Sequence, residues 1–89
     1  MSESPFQYDQ AALDRAPALT VLIPGALSPI SIFSPATAVF SPYSALAFFR
    51  LPGLDGMPSH PPLDIVAAGR EVAEFVNRFP EKKVAIVGY

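Results

Sequence analysis

Three short apolar runs mark the chain. Leu19-Thr20-Val21-Leu22-Ile23 ends at Pro24-Gly25, Ser44-Ala45-Leu46-Ala47-Phe48-Phe49 ends at Leu51-Pro52-Gly53, and Lys83-Val84-Ala85-Ile86-Val87 leads into Gly88-Tyr89. None shows the apolar-polar alternation of an antiparallel sheet with one wet face. They read instead as neighbouring parallel strands buried on both sides. Parallel strands need a crossover of about a dozen residues or more, usually with a helix. Residues 24–43 and 50–82 supply two such connections.

The first connection contains Ser28-Pro29 and Ser34-Pro35. Serine then proline fits an N-cap followed by the first helical position, so a short helix is predicted from about Pro35 to Phe40, ending before Pro42. The second holds a longer amphipathic helix, about Leu63 to Phe79. Ile65, Ala68, Val72, Phe75, Val76 and Phe79 recur at helical spacing, and Arg70, Glu71, Glu74, Asn77 and Arg78 take the other side. Arg70/Glu74 and Glu74/Arg78 are i,i+4 pairs, each worth a few tenths of a kcal/mol. Asp64 falls in the first turn, favoured by the helix dipole, and Pro80 stops the helix. Residues 1–17 are polar and mixed; Asp9 to Arg15 fit one or two helical turns that Pro17 ends.

The predicted order is strand, helix, strand, helix, strand, an α/β pattern within one domain. With 89 residues, a compact chain buries only about 60–65% of its unfolded surface. Yet 51% of the residues are hydrophobic and 16% charged. That excess implies apolar surface meant for burial against something else, and at least one sheet edge left wanting a neighbour.

Composition removes several function classes. The net charge of −2 argues against a nucleic-acid footprint. The lack of cysteine excludes disulfides, thiolate metal sites and cysteine nucleophiles. Eleven prolines exclude a long coiled coil. No paired carboxylates, HExxH or other metal-ligand cluster stands out, and Gly25-Ala26-Leu27-Ser28 lacks the further glycines of a dinucleotide fingerprint and the lysine of a P-loop. No metal and no cofactor are therefore expected. Met1-Ser2-Glu3-Ser4-Pro5 shows no secretory pattern. Prolines 24, 29, 35 and 42 interrupt the greasiest stretch, so no membrane span is expected. The expected setting is soluble and cytoplasmic.

Three pieces carry a family resemblance: Leu22-Ile23-Pro24-Gly25-Ala26, Phe49-Arg50-Leu51-Pro52-Gly53-Leu54-Asp55-Gly56, and Val84-Ala85-Ile86-Val87-Gly88-Tyr89. In order and spacing they resemble the N-terminal part of an α/β-hydrolase. There, one strand ends in an oxyanion-hole turn, a second ends in Asp-x-Pro-Gly-x-Gly, and a third runs into the Gly-x-Ser-x-Gly nucleophile elbow. The resemblance covers about residues 19–89. Pro24 replaces a frequent His, Arg50 a frequent Asp, and Leu54-Asp55-Gly56 the commoner Gly-His-Gly. The short lead before Leu19 resembles the thioesterase branch.

The resemblance implies that residues 1–89 are the N-terminal segment of a single hydrolase domain, a parallel-stranded sheet incomplete on its own. The remaining C-terminal part would be a second chain or a continuation. The substrate would be a small-molecule ester or thioester, free or carrier-bound. The Ala26 backbone N–H would donate to the oxyanion, an interaction worth about 3–4 kcal/mol in the transition state. Gly25 would let the backbone approach substrate, and Leu27 would line the acyl pocket. Gly88 and Tyr89 would flank the nucleophile, the residue after Tyr89, so these 89 residues hold no member of a Ser-acid-His triad.

Blander readings stand beside these. Pro24-Gly25-Ala26 also suits an ordinary strand-ending turn, Leu27 a core position, and Gly88-Tyr89 an ordinary strand end. His60, the only imidazole, sits in Pro58-Ser59-His60-Pro61-Pro62 and reads as an exposed loop residue. Asp55 reads as a turn residue. Ser28, Ser34 and Ser41 precede prolines and suit caps or turns. The alternative function is a non-catalytic α/β module that docks a partner through apolar surface.

Overall fold

The computed structural model describes residues 4–25, 28–40, 44–58 and 64–88. The elements run β1 (Phe6–Tyr8), α1 (Gln10–Arg15), β2 (Ala18–Ile23), a 3₁₀ turn (Ile30–Phe33), α2 (Ser34–Phe40), β3 (Ala45–Phe49), α3 (Ile65–Asn77) and β4 (Lys83–Gly88). The four strands form one sheet in the order β1-β3-β2-β4. β2 lies parallel to both β3 and β4.

The three apolar runs form neighbouring parallel strands as expected, but the purely parallel-stranded sheet needs correcting. β1 pairs antiparallel with β3, Phe6 opposite Phe49 and Tyr8 opposite Ala47, so the sheet is mixed. Its alternation is real, with Phe6 buried and Gln7 exposed. Three residues are too few to stand out from a polar stretch.

In this order the β2-to-β3 crossover runs one way along the sheet, and the β3-to-β4 crossover runs back the other way across β2. Right-handed crossovers running in opposite directions put their helices on opposite faces, and the contacts agree. On one face, Leu19, Val21, Ala45, Ala47, Phe49 and Phe6 pack with Leu13 of α1 and with Val72 and Phe75 of α3. The Phe6 and Phe75 rings stack with centroids 4.2 Å apart, and Phe6 meets Phe49 edge-on at 5.3 Å. Such pairs add about 0.5–1.5 kcal/mol beyond their area. On the other face, Phe33 of the 3₁₀ turn approaches Phe48, centroids 6.5 Å apart. There the hydroxyls of Thr20 and Ser44 hydrogen-bond at 2.8 Å, which satisfies the one buried polar side chain among the described residues.

α3 forms over most of its expected length. Asp64 is its N-cap rather than a first-turn residue, accepting from the N–H groups of Val66 at 3.0 Å and Ala67 at 3.3 Å. The helix ends at Asn77, before the expected Phe79, and Phe79 then packs edge-on against Phe75. Ile65 departs from the expected apolar stripe: it is 81% exposed. Arg78 places its guanidinium 5.6 Å from the centroids of Phe75 and Phe79, a cation–π arrangement.

The first connection is also corrected in detail. Pro29 is the N-cap of the 3₁₀ turn, not a first helical residue, and has no side chain able to cap. Ser34 opens α2 while closing the 3₁₀ turn. α1 matches the turns expected before Pro17, capped by Asp9, whose carboxylate accepts from Ala11 N–H at 3.0 Å.

Candidate functional site

The carboxyl ends of β2 and β4 converge. Their register pairs Leu22 with Val87 and Ile23 with Gly88. The turn that follows β2, starting at Pro24 and Gly25, therefore leaves the sheet beside Gly88. Pro24 is buried and Gly25 half-buried. Strand order turns back here, β3 lying on one side of β2 and β4 on the other. In open α/β sheets, crevices outside the carboxyl ends at such a reversal are where ligands bind.

Gly25 and Gly88 are thus brought to one end of the sheet on neighbouring strands. Ala26, Leu27 and Tyr89 lie outside the described residues, as do Ser41, Ser59 and His60. The Ser28 N–H donates to the Gly25 carbonyl at 3.0 Å, which joins the two residues flanking positions 26 and 27. Gly88 is exposed, and a Cβ built there would meet nothing within 4 Å. Among the described residues, then, no crowding requires glycine at 88.

The segment after β3 is closed by its own backbone. Leu54 N–H donates to Leu51 at 3.1 Å, Met57 N–H to Leu54 at 2.9 Å, and Gly53 N–H to Pro58 at 3.0 Å. Gly53 (φ 78°) and Gly56 (φ 85°) take left-handed backbone, which glycine adopts at no steric cost. Asp55, between them, does so too at φ 53°, as no other non-glycine residue does among those described. Aspartate is one of the few side chains that tolerate this region.

Two residues here do more than the sequence indicated. Arg50 donates through its guanidinium to the carbonyls of Ser4, Pro5 and Asp55, and its backbone N–H also donates to Pro5, at 2.8 Å. It ties the lead into β1 to the end of β3. Asp55 is a turn residue as expected, but its carboxylate also accepts from the Ile30 N–H at 2.8 Å, across to the segment after β2. The only sequence signal for Asp55 was its place between the two turn glycines; Arg50 had none.

Compared with protein-family models, curated proteins and solved structures, the chain matches none.

Among the described residues, no three His, Cys, Asp or Glu side chains gather as a metal ion would need. No helix among them is long and apolar enough to cross a membrane. A shallow depression of about 410 Å³ lies at the β1 edge, lined by Ser4, Phe6, Gln7, Tyr8, Gln10 and Arg50. It includes neither Gly25 nor Gly88. We favour the carboxyl end of β2 and β4 as the site, because strand reversal supplies a physical reason for binding there and the depression supplies only space.

Proposed function

We propose that residues 1–89 are the N-terminal segment of a serine hydrolase of the α/β-hydrolase fold, acting on an ester or thioester by acyl transfer in the cytoplasm. One observation carries the reading: the Ile23–Gly88 register. It sets the Pro24-Gly25 turn and Gly88, ends of two of the three pieces that resemble the family, on adjacent parallel strands at one sheet end. Acyl transfer needs that juxtaposition, because the nucleophile and a fixed oxyanion donor must both lie about 3 Å from the same carbonyl.

In this reading a serine following Tyr89 attacks the acyl carbon, a histidine supplied by the C-terminal part takes its proton and passes it to the departing alcohol or thiol as that bond breaks, and water then releases the acyl group as the acid. The Ala26 N–H and the N–H after the serine hold the oxyanion. This segment contributes scaffold and donor, and the triad comes from the rest of the domain.

Fluorophosphonate labelling of the natural polypeptide that carries this sequence, with intact mass and peptide mapping, tests the reading. The expected adduct is on a serine directly after Tyr89. No adduct, or an adduct within residues 1–89, overturns it.

A second reading has its own support. On β4, Val84 and Ile86 share the face of Leu19 and Val21, yet they are 39% and 55% exposed. Such an edge suits a module that docks a partner strand through backbone pairing and apolar side chains. A continuation without a serine after Tyr89 would favour it.

A further inference from the structure

Asp55 is followed by Gly56, and no other aspartate or asparagine in the chain precedes a glycine. Such a pair is chemically reactive. The amide nitrogen of the second residue lies within reach of the first residue's own side-chain carboxyl, and attack there closes a cyclic imide, a succinimide. Glycine places no Cβ in the way of that approach. Here the pair sits in left-handed backbone, φ 53° at Asp55 and 85° at Gly56. A non-glycine residue in that conformation persists where its surroundings fix it, and three backbone bonds close residues 51–58 around it.

Two contacts act on the reacting groups, in opposite directions. Arg50 donates through Nη1 to the Asp55 carbonyl oxygen at 3.4 Å, and a Cβ built at Gly56 would come 4.0 Å from the same nitrogen. The Asp55 carbonyl and the Gly56 nitrogen belong to one amide. A guanidinium on that oxygen stabilises the negative charge spread over the amide when its nitrogen gives up a proton, which is the form that attacks. The second contact restrains the electrophile. The half-buried Asp55 carboxylate accepts from the Ile30 N–H at 2.8 Å. Ile30 opens the 3₁₀ turn behind Pro29, which forms no cap bond, so Asp55 supplies the acceptor that the turn itself lacks. Turning the carboxyl toward the Gly56 nitrogen strips a half-buried donor of its partner, a penalty that slows ring closure about tenfold or more.

We propose that Asp55–Gly56 is a site of spontaneous covalent modification, restrained by the Asp55–Ile30 hydrogen bond and released when that bond opens. The Gly56 nitrogen forms a bond to Asp55 Cγ. A Cγ–O bond breaks, and the oxygen leaves as water with the amide proton and one proton from solvent. Water then adds to either imide carbonyl. Breaking the Cγ–N bond restores aspartate. Breaking the other C–N bond leaves isoaspartate, its main chain routed through Cγ and longer by one methylene. Cγ then carries a main-chain carbonyl in place of the carboxylate that capped Ile30, and the tie between the exits of the neighbouring strands β2 and β3 is lost. This chemistry needs no enzyme and is independent of the acyl transfer proposed above.

The test incubates the natural polypeptide that carries residues 1–89 in mildly acidic heavy-oxygen water, either folded or unfolded in urea. Each ring opening installs one heavy oxygen, located by peptide mapping and fragmentation, with isoaspartate separated by chromatography. Asp9, Asp14 and Asp64, each followed by a residue that bears a Cβ, serve as internal references. Two variants address the restraint. Ile30→Pro removes the N–H. Pro29 already has the extended φ of −77° and ψ of 164° that a residue before proline favours, and the first position of a helical turn accepts proline. Ile30→Val keeps the N–H and trims the side chain.

The unfolded polypeptide is expected to take label at Asp55, and not at the reference aspartates, at least tenfold faster than the folded one. Ile30→Pro, shown to be folded by circular dichroism, is expected to recover most of that rate, and Ile30→Val to stay slow. No selective label at Asp55 in urea overturns the site. Equal rates folded and unfolded, or Ile30→Pro as slow as the unaltered chain, overturn the restraint. Should Ile30→Pro not fold, labelling at Asp55 and amide exchange at Ile30 are followed together in the unaltered polypeptide at rising urea below the unfolding transition. Parallel acceleration supports the restraint; exchange that accelerates without labelling overturns it.

Discussion

β2 and β4 come from nearly the same pattern of residues and meet opposite fates. Leu19, Val21 and Leu22 are fully buried in the centre of the sheet. β4 pairs with β2 along its length, yet most of its residues are exposed. The α3 helix covers β1, β3 and β2 through Val72 and Phe75, and its cluster does not reach Val84 or Ile86. A continuous apolar run therefore encodes a strand meant for cover on both faces. It does not encode where the cover comes from.

Substitutions along the two strands put the comparison at risk. Leu22→Ala should cost most, about 2–5 kcal/mol, because a fully buried leucine leaves a cavity that neighbours fill only in part. Urea unfolding followed by circular dichroism reads this directly, and a cost near zero would mean that β2 is not the centre of the core. Thr20→Val removes the hydroxyl bond to Ser44 and leaves that hydroxyl unmatched in a half-buried place. About 1 kcal/mol is expected in the same assay.

Ile86→Ala is the sharper test. With Ile86 55% exposed, the loss should be about 0.5 kcal/mol, chiefly of strand preference. A loss matching Leu22→Ala would show β4 covered in solution, and the contrast between the strands would vanish. Gly88→Ala should be smallest, within about 0.5 kcal/mol, since the added Cβ meets nothing within 4 Å. If the proposed acyl transfer holds, the same change is expected to slow turnover while stability is kept.

Much of this architecture was legible from residue order. β2, β3 and β4, with α2 and α3 between them, stand where the apolar runs and the proline and glycine punctuation put them. What stayed hidden was short or long-range. β1 has too few residues for periodicity to speak, and its antiparallel direction is set by a partner far along the chain. Ile65 fits a helical stripe by spacing, but it lies in the first turn of α3, away from the sheet-packed Val72 and Phe75. At the candidate site the glycines were visible as strand-ending turns. The Asp55–Ile30 bond was not, because no local pattern links residues 25 apart.

The Arg50 fork sets the two edges of the sheet apart. By gripping the carbonyls of Ser4 and Pro5, it seats the short antiparallel β1 against β3. A strand of three residues offers little backbone to any newcomer. One flank of the sheet thus ends in a short strand latched to its neighbour by the chain itself, while among the described residues β4 presents a six-residue edge. Of the two edges among the described residues, β4 therefore offers a newcomer twice as many backbone positions as β1.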